Sequence, residues 1–388
     1  MKIVLISNYF NHHQKPFSDA MFKLIGEEYN FIETEPMSEE RLKMGWGGEN
    51  KPAYVKQNFT NENSKLECQN IIDQADVVIF GSAPRELLVN RIKKKKTIFF
   101  YSERPLKEKS PLWKYPFRLF TWRRLNPQRK NICMLCASAY TATDYAKFGL
   151  YRKKCYKWGY FTRVKEYEDI DDLISKKTPN SLLWCARFID WKHPEHAIEI
   201  AKRLKADGYD FNLNMIGNGE LENQVAELIR KNGLSDCVHL LGAMKPEKVR
   251  EYMEKSEIFL FTSDRKEGWG AVLNESMNSA CAVVASHAIG AVPFLIQNKE
   301  NGLIYKNGDV GDLYNKVKLL LDNSEKRKTY AKIAYYTMLT LWNPSVVAER
   351  FLQLAKNVLE KGSKNMFFEG PCSLARRLKD NWFIKTKD

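Results

Sequence analysis

Short, uninterrupted apolar runs recur along this chain and alternate with stretches of helical periodicity. Residues 2–7, 76–81, 97–101 and 132–136 form one such series, with helical stretches such as 84–92 between them. A strand that is apolar along its whole length must be buried on both faces, and the intervening helices supply the covering layers. The pattern therefore predicts α/β architecture with parallel sheets wrapped on both sides. A second series follows at 181–186, 211–216, 238–241, 258–261 and 282–286, with helices at 194–205 and 246–255. A polar stretch at 162–180 separates the two series and reads as a hinge or linker.

At 388 residues the chain exceeds one ordinary core. The expectation is two Rossmann-like domains, 1–165 and 180–340, facing each other across a cleft. A last segment, 341–388, holds a long helix (344–361) and a basic tail, expected to return to the first domain. No run approaches the roughly 20 apolar residues of a membrane span. The opening run is too short for a signal peptide and reads as the first buried strand. Eight cysteines are scattered through apparent strands and helices, as small buried hydrophobes of a reducing compartment would be. The lone Cys133-x-x-Cys136 pair sits inside an apolar run, so packing rather than metal or redox chemistry is its reading. The net charge of +15 calls for an anionic partner: nucleic acid, an anionic membrane surface or an anionic substrate. No recognised nucleic-acid module is present, so nucleic acid is set aside.

The segment Glu267-Gly268-Trp269-Gly270-Ala271-Val272-Leu273-Asn274-Glu275 follows the apolar run 258–261. It places a glycine-spaced turn after one carboxylate and a second carboxylate on a helix-like stretch. Glycines let backbone approach a ligand, and free amides at a helix start favour an anion. Carboxylates beside such a place accept hydrogen bonds from sugar hydroxyls, and the combination points to a phosphorylated sugar. Arg187 and Lys192 follow the first strand of the second series, at the strand end where open α/β sheets bind ligands. A guanidinium fork and a mobile ammonium suit a diphosphate. Gly217-Asn218-Gly219 forms a strand-to-helix turn, and the turn around Met244 after the next strand can set backbone groups against a base.

With these residues in order, the second half resembles the nucleotide-sugar domain of a GT-B-fold retaining glycosyltransferase of family 4, the group 1 type. The match runs from Ser181 to Tyr305. The resemblance implies that Arg187 and Lys192 hold the donor pyrophosphate and that Glu275 binds the ribose. It also implies that Glu267 contacts the transferred sugar and that the amides of Gly268, Trp269, Gly270, Ala271 and Val272 line sugar and phosphate, with Gly217 and Met244 completing the nucleotide site. It implies retention of anomeric configuration, no metal and no cofactor beyond the co-substrate. That co-substrate would be a UDP-sugar, with a GDP-sugar as the alternative.

Three departures from the family pattern stand out. The loop after the first strand, Asn8-Tyr9-Phe10-Asn11-His12-His13-Gln14, carries bulky polar groups where glycines are usual. Glu103 stands where a histidine or aspartate is common after a central strand, and the Gly-Gly-x-Pro-Glu turn reads Gly290-Ala291-Val292-Pro293-Phe294. Either Glu103 or the His12/His13 pair is therefore the candidate for the acceptor proton. His193 and His196 lie one helical turn apart, but the sequence offers no evident third metal ligand. Asp169-Ile170-Asp171 imitates a metal motif inside a polar linker. The segment 112–124 mixes aromatics with cations, as a membrane-interface element would. The expected protein is a cytoplasmic transferase, peripheral on the inner face of the membrane. It would move sugar to a glycan or lipid-linked oligosaccharide in surface polysaccharide assembly. A sugar-nucleotide epimerase on the same fold is the alternative.

Overall fold

The computed structural model describes residues 1–39, 42, 51–108, 111, 113, 115–362, 365–379 and 381–384. Leu112 and Lys114 of the aromatic segment, and residues 363–364, 380 and 385–388 of the tail, lie outside the described residues. The chain divides into two compact units. One comprises Met1–Arg163 with Trp342–Leu378, the other Val164–Leu341 with Lys379–Asp388.

The first unit is built on seven parallel strands: β1 (Ile3–Ser7), β2 (Tyr29–Glu33), β3 (Val55–Gln57), β4 (Val77–Phe80), β5 (Thr97–Ser102), β6 (Ile132–Cys136) and β7 (Cys155–Lys157). Their order across the sheet is β3-β2-β1-β4-β5-β6-β7. Every residue of β1, β4 and β6 is buried, as strands covered on both faces must be. The Pro344–Lys361 helix packs in this unit. Its Phe351 contacts Phe17, Phe99 and Trp158 at ring-centroid distances of 6.3, 5.2 and 5.6 Å. Beyond it, Cys372–Ala375 hydrogen-bonds along β7 and extends the sheet edge.

The second unit holds β8 (Thr178–Cys185), β9 (Asn212–Ile216), β10 (Val238–Leu240), β11 (Ser256–Phe261), β12 (Ala282–Ser286) and β13 (Leu303–Tyr305). They are parallel and ordered β10-β9-β8-β11-β12-β13. Leu182, Trp184, Ile258, Leu260 and Val284 form its central core with Ile198, Leu204 and Leu320 from the covering helices. In each sheet the strand order reverses once, between β1 and β4 and between β8 and β11. Loops leaving the carboxyl ends at such a reversal diverge and open a crevice.

The chain passes from the first unit to the second at Arg163–Val164, within the stretch 162–180, but the rest of that stretch is folded into the second unit rather than being a linker. Asp169 caps a helix at Ile170–Ser175 by accepting from the amides of Asp171 and Asp172 at 2.8 and 3.1 Å, and Ile170 and Ile174 enter the core. β8 then begins at Thr178. The acidic cluster concealed the helix because Asp171 and Asp172 split its apolar residues, Ile170, Leu173 and Ile174. The Asp-x-Asp imitation is thereby explained as a cap.

Lys177, between that helix and β8, is 5% exposed. Its Nζ donates to the carbonyls of Met253 (3.0 Å), Glu254 (3.1 Å), Ser256 (2.9 Å) and Ser279 (2.8 Å). These oxygens end the helices Pro246–Lys255 and Val272–Asn278, where unsatisfied carbonyls favour a cation. Burial pushes the Lys177 ammonium below its ordinary pKa, yet the single nitrogen answers all four carbonyls at once. Lys177→Met should destabilise the protein by on the order of 3 kcal/mol, since it strands buried acceptors. Denaturant unfolding checks this, and an unchanged midpoint refutes it.

Candidate active site

At the β8/β11 reversal the two following loops lie side by side. The β8 loop carries Arg187 and then a short turn, Asp190–Lys192. It is held in place from two sides. Thr262 Oγ1, which receives the Trp184 indole N–H at 2.8 Å, donates to the Lys192 carbonyl at 2.6 Å. The Asp264 amide donates to the Trp191 carbonyl at 3.0 Å. This stitching presents Lys192 to the β11 loop, where its ammonium pairs with Glu267 Oε2. Ser263 Oγ donates to the same oxygen at 3.0 Å. The Lys192 ammonium also lies 4.2 Å from the Trp191 ring centroid. Glu267 is 8% exposed, so the two charges are largely withdrawn from water and sustain each other.

Arg187 is exposed at the end of β8. The Gly217-Asn218-Gly219 turn presses against the Ala186–Phe188 backbone. The Phe188 amide donates to the Asn218 carbonyl at 2.8 Å, and the Gly217 amide to the Gly242 carbonyl at 2.9 Å. Gly217 has φ 138°, and a Cβ there would lie 1.9 Å from the Ala186 oxygen, so only glycine fits. Met244, half-buried, follows edge strand β10.

After Glu267 the chain turns through Gly270, whose φ is 90° and whose absent Cβ would meet the Phe261 ring at 2.4 Å. The helix Val272–Asn278 then begins. It has seven residues, so its first-turn amides, rather than a long summed dipole, are what Gly268 to Val272 can offer an anion. Trp269 is fully buried, and its indole donates to Asn274 Oδ1 at 2.9 Å, so only its backbone is available to a ligand. The Gly290-Ala291 turn secures the loop from behind. Its amides donate to the carbonyls of Glu267 and Trp269 at 3.3 and 3.2 Å, and Phe294 packs on Trp269 at 6.3 Å. An aromatic contact thus stands where the family pattern has a carboxylate.

Glu275 points into the same neighbourhood. Burial pushes its carboxyl up to about 7, opposed by the Arg250 guanidinium. It also helps raise the Cys185 thiol, which burial pushes up to about 12, while Lys192 works against that rise. The structure therefore gathers Lys192, Glu267 and Glu275 around the end of β8. It adds Ser263 on Glu267 and sets Arg250, which donates to Asn278 Oδ1, within electrostatic reach of Glu275; no spacing rule had picked out either.

In the first unit, the β1 loop holds His12 and His13 with ring centroids 3.8 Å apart, and His13 stacks on Tyr160 at 5.9 Å and 10°. Tyr160 donates to Glu103 Oε1 at 2.7 Å, and Lys107 donates to Oε2 at 2.5 Å. Arg104 turns instead to buried Asp144, its Nε 3.3 Å from Oδ2. Glu103 and the histidines are thus joined through Tyr160, a residue 57 positions from Glu103 and invisible to any local motif. Glu33 steadies the loop by accepting from the Phe10 amide at 2.7 Å. The histidine pair of the second unit gains what its sequence lacked: Glu195 lies between His193 and His196 with metal-ligand spacing.

Residues 166–337 match the family model of the glycosyl transferases group 1. They form a group 1 glycosyltransferase domain. Within it fall Arg187, Lys192, Glu267 and Glu275. The amylovoran biosynthesis glycosyltransferase AmsK of Erwinia amylovora is 34% identical over 136 residues, 34% of this chain and 33% of that protein. A Campylobacter jejuni enzyme named N-acetylgalactosamine-N,N'-diacetylbacillosaminyl-diphospho-undecaprenol 4-alpha-N-acetylgalactosaminyltransferase is 32% identical over 141 residues, 36% of this chain and 37% of its own. The matches to these relatives thus span little more than a third of their lengths. Anabaena HepE, solved in complex with UDP, superposes with a TM-score of 0.67 at 14% identity, over 92% of this chain and 100% of its own. That likeness gives the whole chain the GT-B fold.

The Glu275 carboxyl yields a pH prediction. Its ordinary value is 4.5, so an unfolded chain releases this proton while the folded one retains it up to about 7. Stability contributed by the protonated group is therefore lost as pH rises through that window. Glu275→Gln should raise the unfolding midpoint at about pH 8 and leave it unchanged at about pH 4. Equal effects at both values would show that the carboxyl is not desolvated.

Proposed function

We propose that this protein is a retaining, metal-independent glycosyltransferase that takes sugar from a nucleoside-diphosphate donor, a UDP-sugar first among them, and delivers it to a glycan hydroxyl on a lipid-diphosphate carrier. The observation that carries the reading is the paired Lys192 and Glu267 at the β8/β11 reversal of a group 1 domain, with Glu275 beside them. The relatives act, by their names, in polysaccharide assembly and on a diphospho-undecaprenol glycan, and HepE binds UDP.

In this reading Lys192 leaves Glu267 to meet the donor phosphates, joined by exposed Arg187. Glu267, still held by Ser263, then accepts from the sugar hydroxyls. As the glycosidic C–O bond breaks, negative charge grows on the departing phosphate. The two cations and the loop amides stabilise that charge more than they stabilise the intact donor, which is what lowers the barrier. Glu275 accepts from the ribose, and its proton is surrendered on binding or at higher pH. Glu103, His12 and His13, organised by Tyr160, receive the acceptor. Arg187→Ala and Glu275→Ala should each lower transfer by about a hundredfold, the scale of one preorganised electrostatic contact. Near-normal turnover in both would overturn the site.

The helix Tyr115–Leu125 supplies the proposed membrane contact at the cytoplasmic face. None of its residues is buried. Trp122 packs inward on Phe148 at 4.3 Å, whereas Phe117 and Phe120 are 82% and 70% exposed. Arg118, Arg123 and Arg124 accompany them, a pairing of apolar area with positive charge suited to anionic lipid. No described helix is long and apolar enough to cross a membrane. The double variant Phe117→Ser, Phe120→Ser should lose flotation with anionic vesicles while still binding UDP. Unchanged flotation would remove this surface from the account.

A further inference from the structure

The first turn of the Pro194–Ala206 helix holds side chains that the transfer reaction leaves unused. His193 Nδ1 and Glu195 Oε1 are 2.7 Å apart, and His196 Nε2 lies 3.7 Å from the same oxygen. One ligand atom from each of the three falls within 4.8 Å of the others. Zinc held at about 2.0–2.1 Å from such atoms sets them roughly 3.3 Å apart, and the observed separations bracket that value. His193 Nε2 faces Asp264 Oδ2 at 3.8 Å. A carboxylate behind the far nitrogen is the usual companion of a metal-bound imidazole, because it fixes the tautomer and raises the ligand's basicity.

The backbone makes the same point. His193 has φ 51° and ψ 56°, a left-handed conformation directly before Pro194, and its side chain makes no capping hydrogen bond. Asparagine, aspartate or glycine is the ordinary occupant of such a position. Strain of this kind survives where the surrounding structure holds it, often at a site with a task. Here it lays the His193 ring parallel to His196, centroids 4.6 Å apart.

We propose that His193, Glu195 and His196 form a three-ligand site for a divalent transition metal of the zinc class, with Asp264 supporting His193. Nitrogen and carboxylate donors without thiolate suit zinc, cobalt or nickel rather than magnesium or calcium. The parallel rings must swing about their Cβ–Cγ bonds for both lone pairs to meet the ion. Exposures of 23% for His193, 42% for Glu195 and 14% for His196 leave room for that movement. The site is structural, outside the transfer chemistry. It ties the helix start that follows Lys192 to the β11 loop that carries Glu267, and so fixes the distance between them.

Cobalt(II) titration of the untagged full chain tests this, read by visible absorption and by calorimetry, with zinc as competitor. The expected result is one ion per chain. His193→Gly relieves the left-handed backbone, so folding is spared; it and His196→Ala should each weaken binding at least tenfold, and Asp264→Asn about tenfold. His239→Ala, a half-buried histidine elsewhere, should change nothing. Absence of saturable binding overturns the proposal, as does wild-type affinity in His193→Gly. An intense thiolate charge-transfer band that persists in both histidine variants also overturns it, by assigning the ion to cysteine. Because metal binding is the readout, either outcome leaves the transferase reading standing.

Discussion

Neighbouring parallel strands can be joined only by crossovers, and this places every loop that follows a strand at the same end of its sheet. The chain obeys that constraint twice. In the second unit it brings the turn after β8 against the loop after β11, although Lys192 and Glu267 are 75 positions apart. Ion pair, glycine turn, helix start and the bracing Gly290-Ala291 amides all depend on that one adjacency. Remove the reversal in strand order and no chemistry remains, because each loop would face a neighbour instead of an opening.

The Lys192–Glu267 pair also resolves a tension in the site. A binding place for a diphosphate must hold cations close together in a partly dry environment, which repels them when no ligand is there. Glu267 supplies the missing negative charge, and Ser263 holds its carboxylate in place. Glu275 meets the same environment differently. With Arg250 as its opposing charge, it keeps its proton to about neutrality. One acid is thus paired with an ammonium while its neighbour is held neutral by desolvation, and in the proposed reaction both arrangements change when phosphate and hydroxyls arrive. Such groups cost stability in the free protein, which is common where binding is the task.

Much of this was legible before any coordinates. Continuous apolar runs named most of the strands, since burial on both faces leaves no other composition. Arg187, Lys192, Glu267 and Glu275 stood out because each follows a strand at a spacing that reaches a ligand. Most of the 162–180 stretch misled, because Asp169 and its acidic neighbours look like a linker when Asp171 and Asp172 split the apolar residues that fasten the helix. Lys177 lay unremarked in that polar stretch, yet it closes two helix ends. Tyr160 carried no signal at all, being an aromatic in an unremarkable run until it meets Glu103.

By itself the amino-acid order determined the architecture and the loops that carry the chemistry, for these follow from apolar periodicity and from glycines that alone fit their backbone angles. Only the folded chain decided which charges are partners. Lys192 with Glu267, Glu103 with Lys107 and Tyr160, and Glu195 between two histidines are settled by distance and by exclusion of water. Both arise from packing between segments far apart in the chain, and no local pattern records them.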